Sequence, residues 1–244
     1  MENMKSPIKM SSRLHKVADM ITPGLIVADI GTDHGYIPIY QVLTGRAGRA
    51  YACDVAEGPL GRAVDNIRLY NVEDRVDAVL SDGLIGLKDI EKNIPESIVI
   101  AGMGGTLICR ILTDGCRVAA EAKELVLSPH SEWYEVRSFL QDNGYKIVDE
   151  DMVKEDGKYY IIIKAVHADS GSEKLSDEEL RFGPVLMGKK HPVLIDYLKK
   201  EKDTCKKIKR NLAENAGESS QGKLEEFDKK EALLESVLGK ITEV

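Results

Sequence analysis

The chain has 244 residues, of which 43% are hydrophobic and 31% charged, and its formal net charge is -7. This length holds one large α/β domain, or one domain with an appendage, and the composition is that of a soluble globular protein. The total charge gives no sign of a nucleic-acid partner, although it can hide a local basic segment.

Three further features exclude other protein classes. The four cysteines form no CxxC pair and have no histidine at ligand spacing, so we expect reduced thiols and no metal. The first 16 residues lack the apolar core of a signal peptide. The longest apolar run, at 97–112, is too short for a membrane span and is broken by glycines. We therefore expect a soluble, cytoplasmic protein.

Strands and helices alternate along the first two thirds of the chain. An apolar pattern of helical period predicts a first helix from Ser11 to Met20, with Ser11 or Ser12 as N-cap. Alternation of this kind predicts right-handed crossovers and a parallel sheet. The predicted strands lie at 25–31, 49–55, 76–83, 97–105 and 124–130, and the predicted helices at 36–43, 59–70, 106–112 and 134–143.

The last two strand-like segments, 145–153 and 159–166, interrupt this alternation. Only KEDGK separates them, which is too short for a helix, so we expect an antiparallel hairpin. The predicted fold is α/β and Rossmann-like, with a seven-stranded, mostly parallel sheet that ends in the hairpin.

The composition changes after Ala168. Ser176 and Glu179 have the spacing of a capping box. From His191 onward, apolar residues recur at helical spacing in two stretches separated by ENAGESSQG. We expect an antiparallel, coiled-coil-like helical hairpin. The predicted domains are thus 1–168 and 169–244.

The stretch ADIGTDHGY, residues 28–36, places two aspartates and two glycines after the first predicted strand. Asp29 interrupts an apolar strand, where an unpaired carboxylate would be costly. The glycines allow a ligand to approach the backbone closely, although a plain turn would also use them.

Asp54 ends the second strand, where an acid can accept hydrogen bonds from ribose hydroxyls. Asp82 is placed to meet an adenine amine. The alternatives are a solvated strand-end carboxylate and a turn-forming Asp-Gly pair.

The loop favours one nucleoside cofactor over another. A nicotinamide dinucleotide requires a helix N-terminus against its pyrophosphate, and Asp33 in the loop would repel that group. S-adenosylmethionine (SAM) has no phosphate, and its ammonium and sulfonium groups favour nearby carboxylates. The terminal hairpin also agrees with a class I methyltransferase domain. The expected cofactor contacts are Asp29, Gly31, Thr32, Asp33, His34, Gly35, Tyr36, Asp54, Val55, Ser81, Asp82, Gly83, Ala101, Gly102 and Met103.

Four segments together resemble the bacterial TrmK family. They are SSRL at 11–14, ADIGTDHGYIP at 28–38, IVIAGMGGTLI at 98–108, and RFGPVLMGKKHPVLIDYL at 181–198. The resemblance covers nearly the whole chain and implies a tRNA (adenine(22)-N(1))-methyltransferase that acts in the D arm. Two positions depart from the family pattern. LSPH at 127–130 stands where Pro followed by Asn is expected, and Ser97 stands where an acid is usual.

N1 of adenine carries a free lone pair, so its methylation requires alignment and no strong general base. Positive charge develops on the base, and we expect Asp33 to act catalytically by stabilising that charge. The AGMGG segment is expected to line the pocket of the target base. The expected contacts of that base are Gly104, Gly105 and His130.

Residues 189–210 carry nine basic side chains against three acidic ones. Such a segment can follow tRNA phosphates, and a solvated helix face is the alternative. The expected RNA contacts are Lys199, Lys200, Lys206, Lys207, Lys209 and Arg210, with Arg13 and Lys16 beside the cofactor loop. We favour a monomer. The alternatives are a methyltransferase for a small molecule or protein, and a non-catalytic protein that binds SAM or RNA.

Overall fold

The computed structural model describes residues 8–169, 173–214 and 220–242. The chain forms two compact units that divide between Lys174 and Leu175, close to the predicted boundary after residue 168. Within the described ranges, no helix has both the length and the apolar character needed to cross a membrane.

The first unit is built on a seven-stranded sheet, as the sequence predicts. Five strands run parallel, and the last two form the antiparallel hairpin. The strands are β1 Val27–Ile30, β2 Ala50–Asp54, β3 Val76–Leu80, β4 Ser97–Ala101, β5 Glu124–Ser128, β6 Tyr145–Glu155 and β7 Lys158–His167. Their order in the sheet is β3-β2-β1-β4-β5-β7-β6.

The central strands are apolar because both faces of a parallel sheet are covered by helices. All residues of β1 and β5 are buried, and β4 is buried up to Ile100. Two predicted strands, 76–83 and 97–105, extend too far. They end at Leu80 and Ala101 because the chain turns at Gly83 and Gly102, where φ is positive and extended backbone is impossible.

Six α-helices belong to the described part of the first unit. The first begins after Ser11, whose hydroxyl accepts a hydrogen bond from the Leu14 N–H, so the predicted N-cap is confirmed. A 3₁₀ turn at Ile85–Leu87 and the short α5 are absent from the sequence predictions, because one or two turns give too short an apolar pattern. The helices are α1 Ser12–Met20, α2 Tyr36–Leu43, α3 Glu57–Tyr70, α4 Gly105–Asp114, α5 Cys116–Glu121 and α6 Trp133–Asp142.

The chain reverses direction across the sheet between β1 and β4. It proceeds from β1 through β2 to β3, and then crosses back to place β4 on the other side of β1. The carboxyl ends of β1 and β4 therefore flank the crevice in which open α/β sheets bind ligands.

The second unit is helical. The predicted capping box of Ser176 and Glu179 is present at its start. Two long helices lie antiparallel. Lys202 of the first pairs with Glu235 of the second at 2.7 Å, whereas Lys209, seven residues further along the first, pairs with Glu231, four residues earlier in the second, at 2.7 Å. The predicted helical hairpin is confirmed. The helices are α7 Asp177–Phe182, α8 Pro184–Gly188, α9 Pro192–Glu214 and α10 Ser220–Thr242.

Candidate active site

A cavity of about 280 Å³ opens at the carboxyl ends of β1 and β4. It lies in the crevice that the sheet topology provides. The predicted site residues that line it are Arg13, Asp29, Gly31, Thr32, Asp33, His34, Tyr36, Ala101, Gly102 and His130. Leu14 and Ile37 also line it and are absent from the sequence predictions.

Asp29 brings a carboxyl group into this cavity from within a buried strand. The residue is 6% exposed. Burial raises the pKa of the Asp29 carboxyl to about 6, the negative charge of Asp54 adds to the rise, and a hydrogen bond with Thr32 opposes it. A cation that entered the cavity would stabilise the ionised form of this carboxylate.

Gly31 allows the loop to turn directly after β1. Its φ is +75°, and a Cβ here would lie 1.9 Å from Cε of Met103. The positive φ is what favours glycine here, because Cε is the end of a flexible side chain that can move aside. The end of the Met103 side chain lies against Gly31, and Met103, a predicted cofactor contact, is not among the residues that line the cavity. Gly35, with φ of +69°, ends the loop, and its N–H donates a hydrogen bond to Oγ1 of Thr32 at 3.2 Å.

Asp33 lies at the rim, with its side chain 61% exposed. Its carboxylate pairs with the Arg62 guanidinium, and Nε2 of His34 lies 3.2 Å from its Oδ2. The hydrogen bond from Arg62 holds the pKa of Asp33 below its ordinary value, so Asp33 is ionised at neutral pH. The His34 ring stacks on Tyr36, with centroids 5.0 Å apart. Sequence reasoning missed Arg62, which lies 29 residues away in α3.

Two basic side chains that line the cavity, Arg13 and His130, both contact the ring of Tyr160, which is not itself among the lining residues. The Arg13 guanidinium lies over the Tyr160 ring, 5.2 Å from its centroid, and His130 meets the same ring edge-on at 5.5 Å. A Cβ on Gly102 would lie 3.8 Å from Nη1 of Arg13 and from Nε2 of His130. Burial lowers the pKa of His130, and the charges of Arg13 and Lys158 lower it further, so its imidazole is neutral at pH 7.

Sequence reasoning also missed Tyr160. Leu127 of β5 pairs with Ile163 of β7 in the antiparallel register. Tyr160, three residues before Ile163, therefore lies beyond the carboxyl end of β5, beside His130. The sequence predicted the hairpin, but neither its pairing with β5 nor the register that places Tyr160 beside His130 could be derived from the sequence.

The predicted contacts at the ends of β2 and β3 lie along the same sheet edge, outside the cavity. Asp54 is half-buried, and its Oδ1 accepts a hydrogen bond from the Ala56 N–H at 2.8 Å. Val55 and Asp82 are exposed. The Ser81 hydroxyl donates to the Gly83 carbonyl at 2.7 Å and accepts from a backbone N–H, which gives Ser81 a structural task in this turn.

The two glycines at the start of α4 differ in their surroundings. A Cβ on Gly105 would lie 2.7 Å from the Glu132 carbonyl and 2.8 Å from that of Ser131. The space beside Gly105 is therefore filled by the protein itself, which gives a packing reason for this glycine. A Cβ on Gly104 would lie 3.2 Å from the Glu132 carboxylate, which also accepts a hydrogen bond from the Thr106 N–H.

The predicted RNA contacts have different environments. Lys209 pairs with Asp228 at 2.5 Å and with Glu231 at 2.7 Å, so it links α9 to α10. On α1, Lys16 pairs with Asp151 at 3.0 Å. The remaining predicted contacts on α9 are exposed, and they are Lys199, Lys200, Lys206, Lys207 and Arg210.

Comparison with known proteins identifies the family. The family model described as "TrmK: tRNA (adenine(22)-N(1))-methyltransferase" matches residues 27–236. This chain belongs to the TrmK family. The tRNA (adenine(22)-N(1))-methyltransferase of Bacillus subtilis (strain 168) is 31% identical over 235 residues, which cover 95% of this chain and 98% of that protein.

Two solved structures extend the comparison to the TrmK fold. Sp1610 of Streptococcus pneumoniae, in complex with S-adenosyl-L-methionine, is 33% identical and has a TM-score of 0.82 over 94% of this chain and all of that one. M. capricolum TrmK, in complex with S-adenosyl-homocysteine, is 27% identical, with a TM-score of 0.81 over 95% of this chain and 99% of that one.

Membership of the TrmK family confirms several predictions made from the sequence. The chain is a tRNA methyltransferase of the adenine-N1 class, with a Rossmann-like fold and SAM as its methyl donor. The roles of individual residues stay predictions.

Proposed function

We propose that this chain transfers the methyl group of SAM to N1 of adenine 22 in tRNA, at the cavity between β1 and β4. The observation that carries the assignment of the site is the buried Asp29 carboxyl, which enters a glycine-turned cavity at the switch point of the sheet. A TrmK-family chain requires a site for a cationic nucleoside, and the two carboxylates that line this cavity support its assignment as that site.

The residues at this edge fit SAM better than a phosphate-bearing cofactor. Asp29 and Asp33 would repel a diphosphate, whereas each favours a cation. Asp54, at the end of the neighbouring strand, is proposed to bind the ribose hydroxyls, and Asp82 the adenine amine. Both carboxylates lie along the same sheet edge as the cavity, on the side that leads from β1 to β3.

The bound cofactor would supply an electrophilic methyl group on a sulfonium. The protein has to align N1 of the target adenine with that group and exclude water, and such alignment contributes roughly 7–11 kcal/mol in well-oriented reactions. We assign this task to the wall formed by Gly102, His130 and Tyr160. If the adenine is stacked in the tRNA, it has to be moved out of the stack before it can reach this wall, at a cost of a few kcal/mol.

Asp33 is proposed to stabilise the positive charge that develops on the adenine ring. Its pairing with Arg62 keeps it ionised at neutral pH. A fixed negative charge at the rim interacts more strongly with a cationic base than with the neutral one, so it favours the transition state.

Asp33→Asn tests that role. The expected result is a kcat reduced by about tenfold or more on unmodified tRNA, with a smaller change in the affinity for S-adenosyl-homocysteine measured by calorimetry. Equal losses in both would show that Asp33 serves the cofactor instead. Asp65→Asn, on the neighbouring α3, is a control with the same chemical change, and we expect it to leave both quantities unchanged.

The proposed activity itself is tested with radiolabelled SAM. We expect label to enter an unmodified tRNA transcript, and none to enter a transcript with guanosine at position 22. Label in both transcripts would overturn the position assigned, and label in neither would overturn the activity.

We further propose that the exposed basic side chains of α9 bind tRNA phosphates. Lys199, Lys206 and Arg210 are seven and four residues apart, so they share one face of the helix. Leu198 and Cys205, which are buried, lie on a different face. We also propose that the chain acts in the cytoplasm as a monomer and without a metal, since a free N1 lone pair needs no metal to activate it.

A further inference from the structure

Arg13 brings a guanidinium group into the cavity, and one of its nitrogens has no hydrogen-bond partner among the described residues. Its guanidinium lies over the Tyr160 ring, and its backbone N–H donates to Oε1 of Glu155 at 3.4 Å. Its Nη1 is shielded from solvent and has no hydrogen-bond partner in the described part of the chain. A shielded charged donor without an acceptor is costly, and such groups in native proteins call for an explanation.

The residues that line the cavity carry charges of both signs, and these charges come from different elements of the fold. Of its twelve lining residues, Arg13 is the one with a permanent positive charge. The two histidines do not compete with it, because His130 is neutral and His34 faces Asp33. The acidic side chains of the lining, Asp29 and Asp33, belong to β1 and to the loop after it. The cavity thus offers both an anion and a cation to its ligand.

The amino-acid group of SAM has the complementary distribution of charge, with an ammonium and a carboxylate on one carbon atom. We propose that Arg13 binds the α-carboxylate of SAM, while the ammonium group faces Asp29. This inference rests on the proposed function and names the contact that orients the cofactor. It moves Arg13 from the predicted RNA contacts to the cofactor contacts.

The depth of Arg13 favours the cofactor over an RNA phosphate. Its Nη1 would lie 3.8 Å from a Cβ on Gly102, the residue that follows β4, next to the strand that carries Asp29. RNA phosphates remain at the protein surface, where exposed lysines reach them. A guanidinium can donate two parallel hydrogen bonds to a carboxylate, and the Tyr160 ring holds it in place for that purpose.

Calorimetry with two ligands tests the proposal. Arg13→Gln should weaken the binding of S-adenosyl-homocysteine by roughly ten- to a hundredfold, the usual range for a charge-assisted hydrogen bond. It should leave the binding of 5′-methylthioadenosine, which lacks the amino-acid group, within about twofold of wild type. Arg13→Lys should recover part of the loss. Lys16→Gln, on the same helix but paired with Asp151, is the matched control and should change neither affinity.

Three outcomes would overturn the proposal. The first is an unchanged affinity of Arg13→Gln for S-adenosyl-homocysteine. The second is an equal loss for both ligands, which would indicate a general disturbance of the cavity. The third is weaker tRNA binding with normal cofactor binding, which would return Arg13 to the RNA contacts.

A measurement on the wild-type protein avoids any dependence on the folding of the variants. Decarboxylated SAM keeps the ammonium and sulfonium groups and lacks only the carboxylate. We expect it to bind wild type roughly ten- to a hundredfold more weakly than SAM, and to bind Arg13→Gln with the same affinity as wild type. Equal binding of SAM and its decarboxylated form by wild type would overturn the proposal. Failure of wild type to bind S-adenosyl-homocysteine at all would instead overturn the proposed function.

Discussion

The Asp29 carboxyl group links ligand binding to stability at the scale of one residue. Its pKa in the folded protein is about 6, compared with an ordinary value of 3.8. Between these values the folded chain holds a proton that the unfolded chain has lost, so stability falls as the pH rises through this window. Above pH 6 the decrease in the free energy of unfolding is complete. At 1.36 kcal/mol per pKa unit it amounts to about 3 kcal/mol.

Asp29→Asn should therefore stabilise the ligand-free protein at pH 8, because an amide has no charge to lose to burial. The same variant should bind S-adenosyl-homocysteine more weakly, and the affinity of wild type should decrease as the pH falls below 6. Thermal melts at pH 8 and pH 4.5, with calorimetry at each pH, check this. The difference in stability should shrink at pH 4.5, where both side chains are neutral. A variant that melts below wild type at both pH values would contradict the argument.

Residues of the site differ in how far the sequence reveals them. Asp29 and Gly31 could be predicted because they lie in one loop after an apolar strand, where the chemical type and the spacing carry the signal. Arg62 and Tyr160 could not, because each reaches the site through a helix or strand whose rotation and register depend on packing. The partner of Asp33 is therefore a property of the fold, although Asp33 itself is visible in the loop.

At the scale of secondary structure elements, the long strands and helices follow from their apolar periods. The predicted α2 has the observed limits, Tyr36–Leu43. The hairpin of β6 and β7 follows from a connection too short for a helix. The ends of β3 and β4 were predicted too late, because Ser81 and Met103 continue the strand pattern while the glycines beside them turn the chain. The backbone angles of those glycines decide the ends.

The start of α4 depends on close packing against the loop after β5. Gly105→Ala would place a methyl group within 3 Å of two backbone carbonyls, so the loop at 131–132 has to move. We expect a loss of about 1–3 kcal/mol in the free energy of unfolding, as for other overpacked sites. We also expect lower activity, since His130 adjoins this loop. Urea denaturation and the methyl-transfer assay measure the two effects.

Gly61→Ala is the matched control for that substitution. Gly61 lies inside α3, and a Cβ there would meet no heavy atom within 4 Å. Alanine is the better helix former by about 1 kcal/mol, so this variant should be more stable than wild type. If Gly105→Ala is as stable as Gly61→Ala, the loop yields without cost and the packing argument is wrong.

At the scale of the whole molecule, the charges are unevenly distributed along the sequence. The chain carries -7 in total, but residues 189–210 have an excess of six positive charges, nine basic against three acidic. This excess was visible in the sequence. The sequence could not reveal that Lys202 and Lys209 form ion pairs with α10, because these pairs depend on how the two helices face each other. Fewer charges are therefore available to a polyanion than the sequence suggests. They include those on the face of α9 that carries Lys199, Lys206 and Arg210, which we call its outer face.

The outer face of α9 should set the salt dependence of tRNA binding. Each phosphate contact that is removed lowers the slope of log K against log salt by about 0.7–0.9. Lys206→Gln with Arg210→Gln should thus lower the slope by about 1.5 and weaken tRNA binding at low salt, while the affinity for S-adenosyl-homocysteine stays unchanged. Lys223→Gln with Lys229→Gln makes the same change of charge at exposed positions of α10 and should have a smaller effect. Equal effects of the two pairs would mean that only the net charge of the helical unit matters, and no effect of either would place the tRNA elsewhere on the protein.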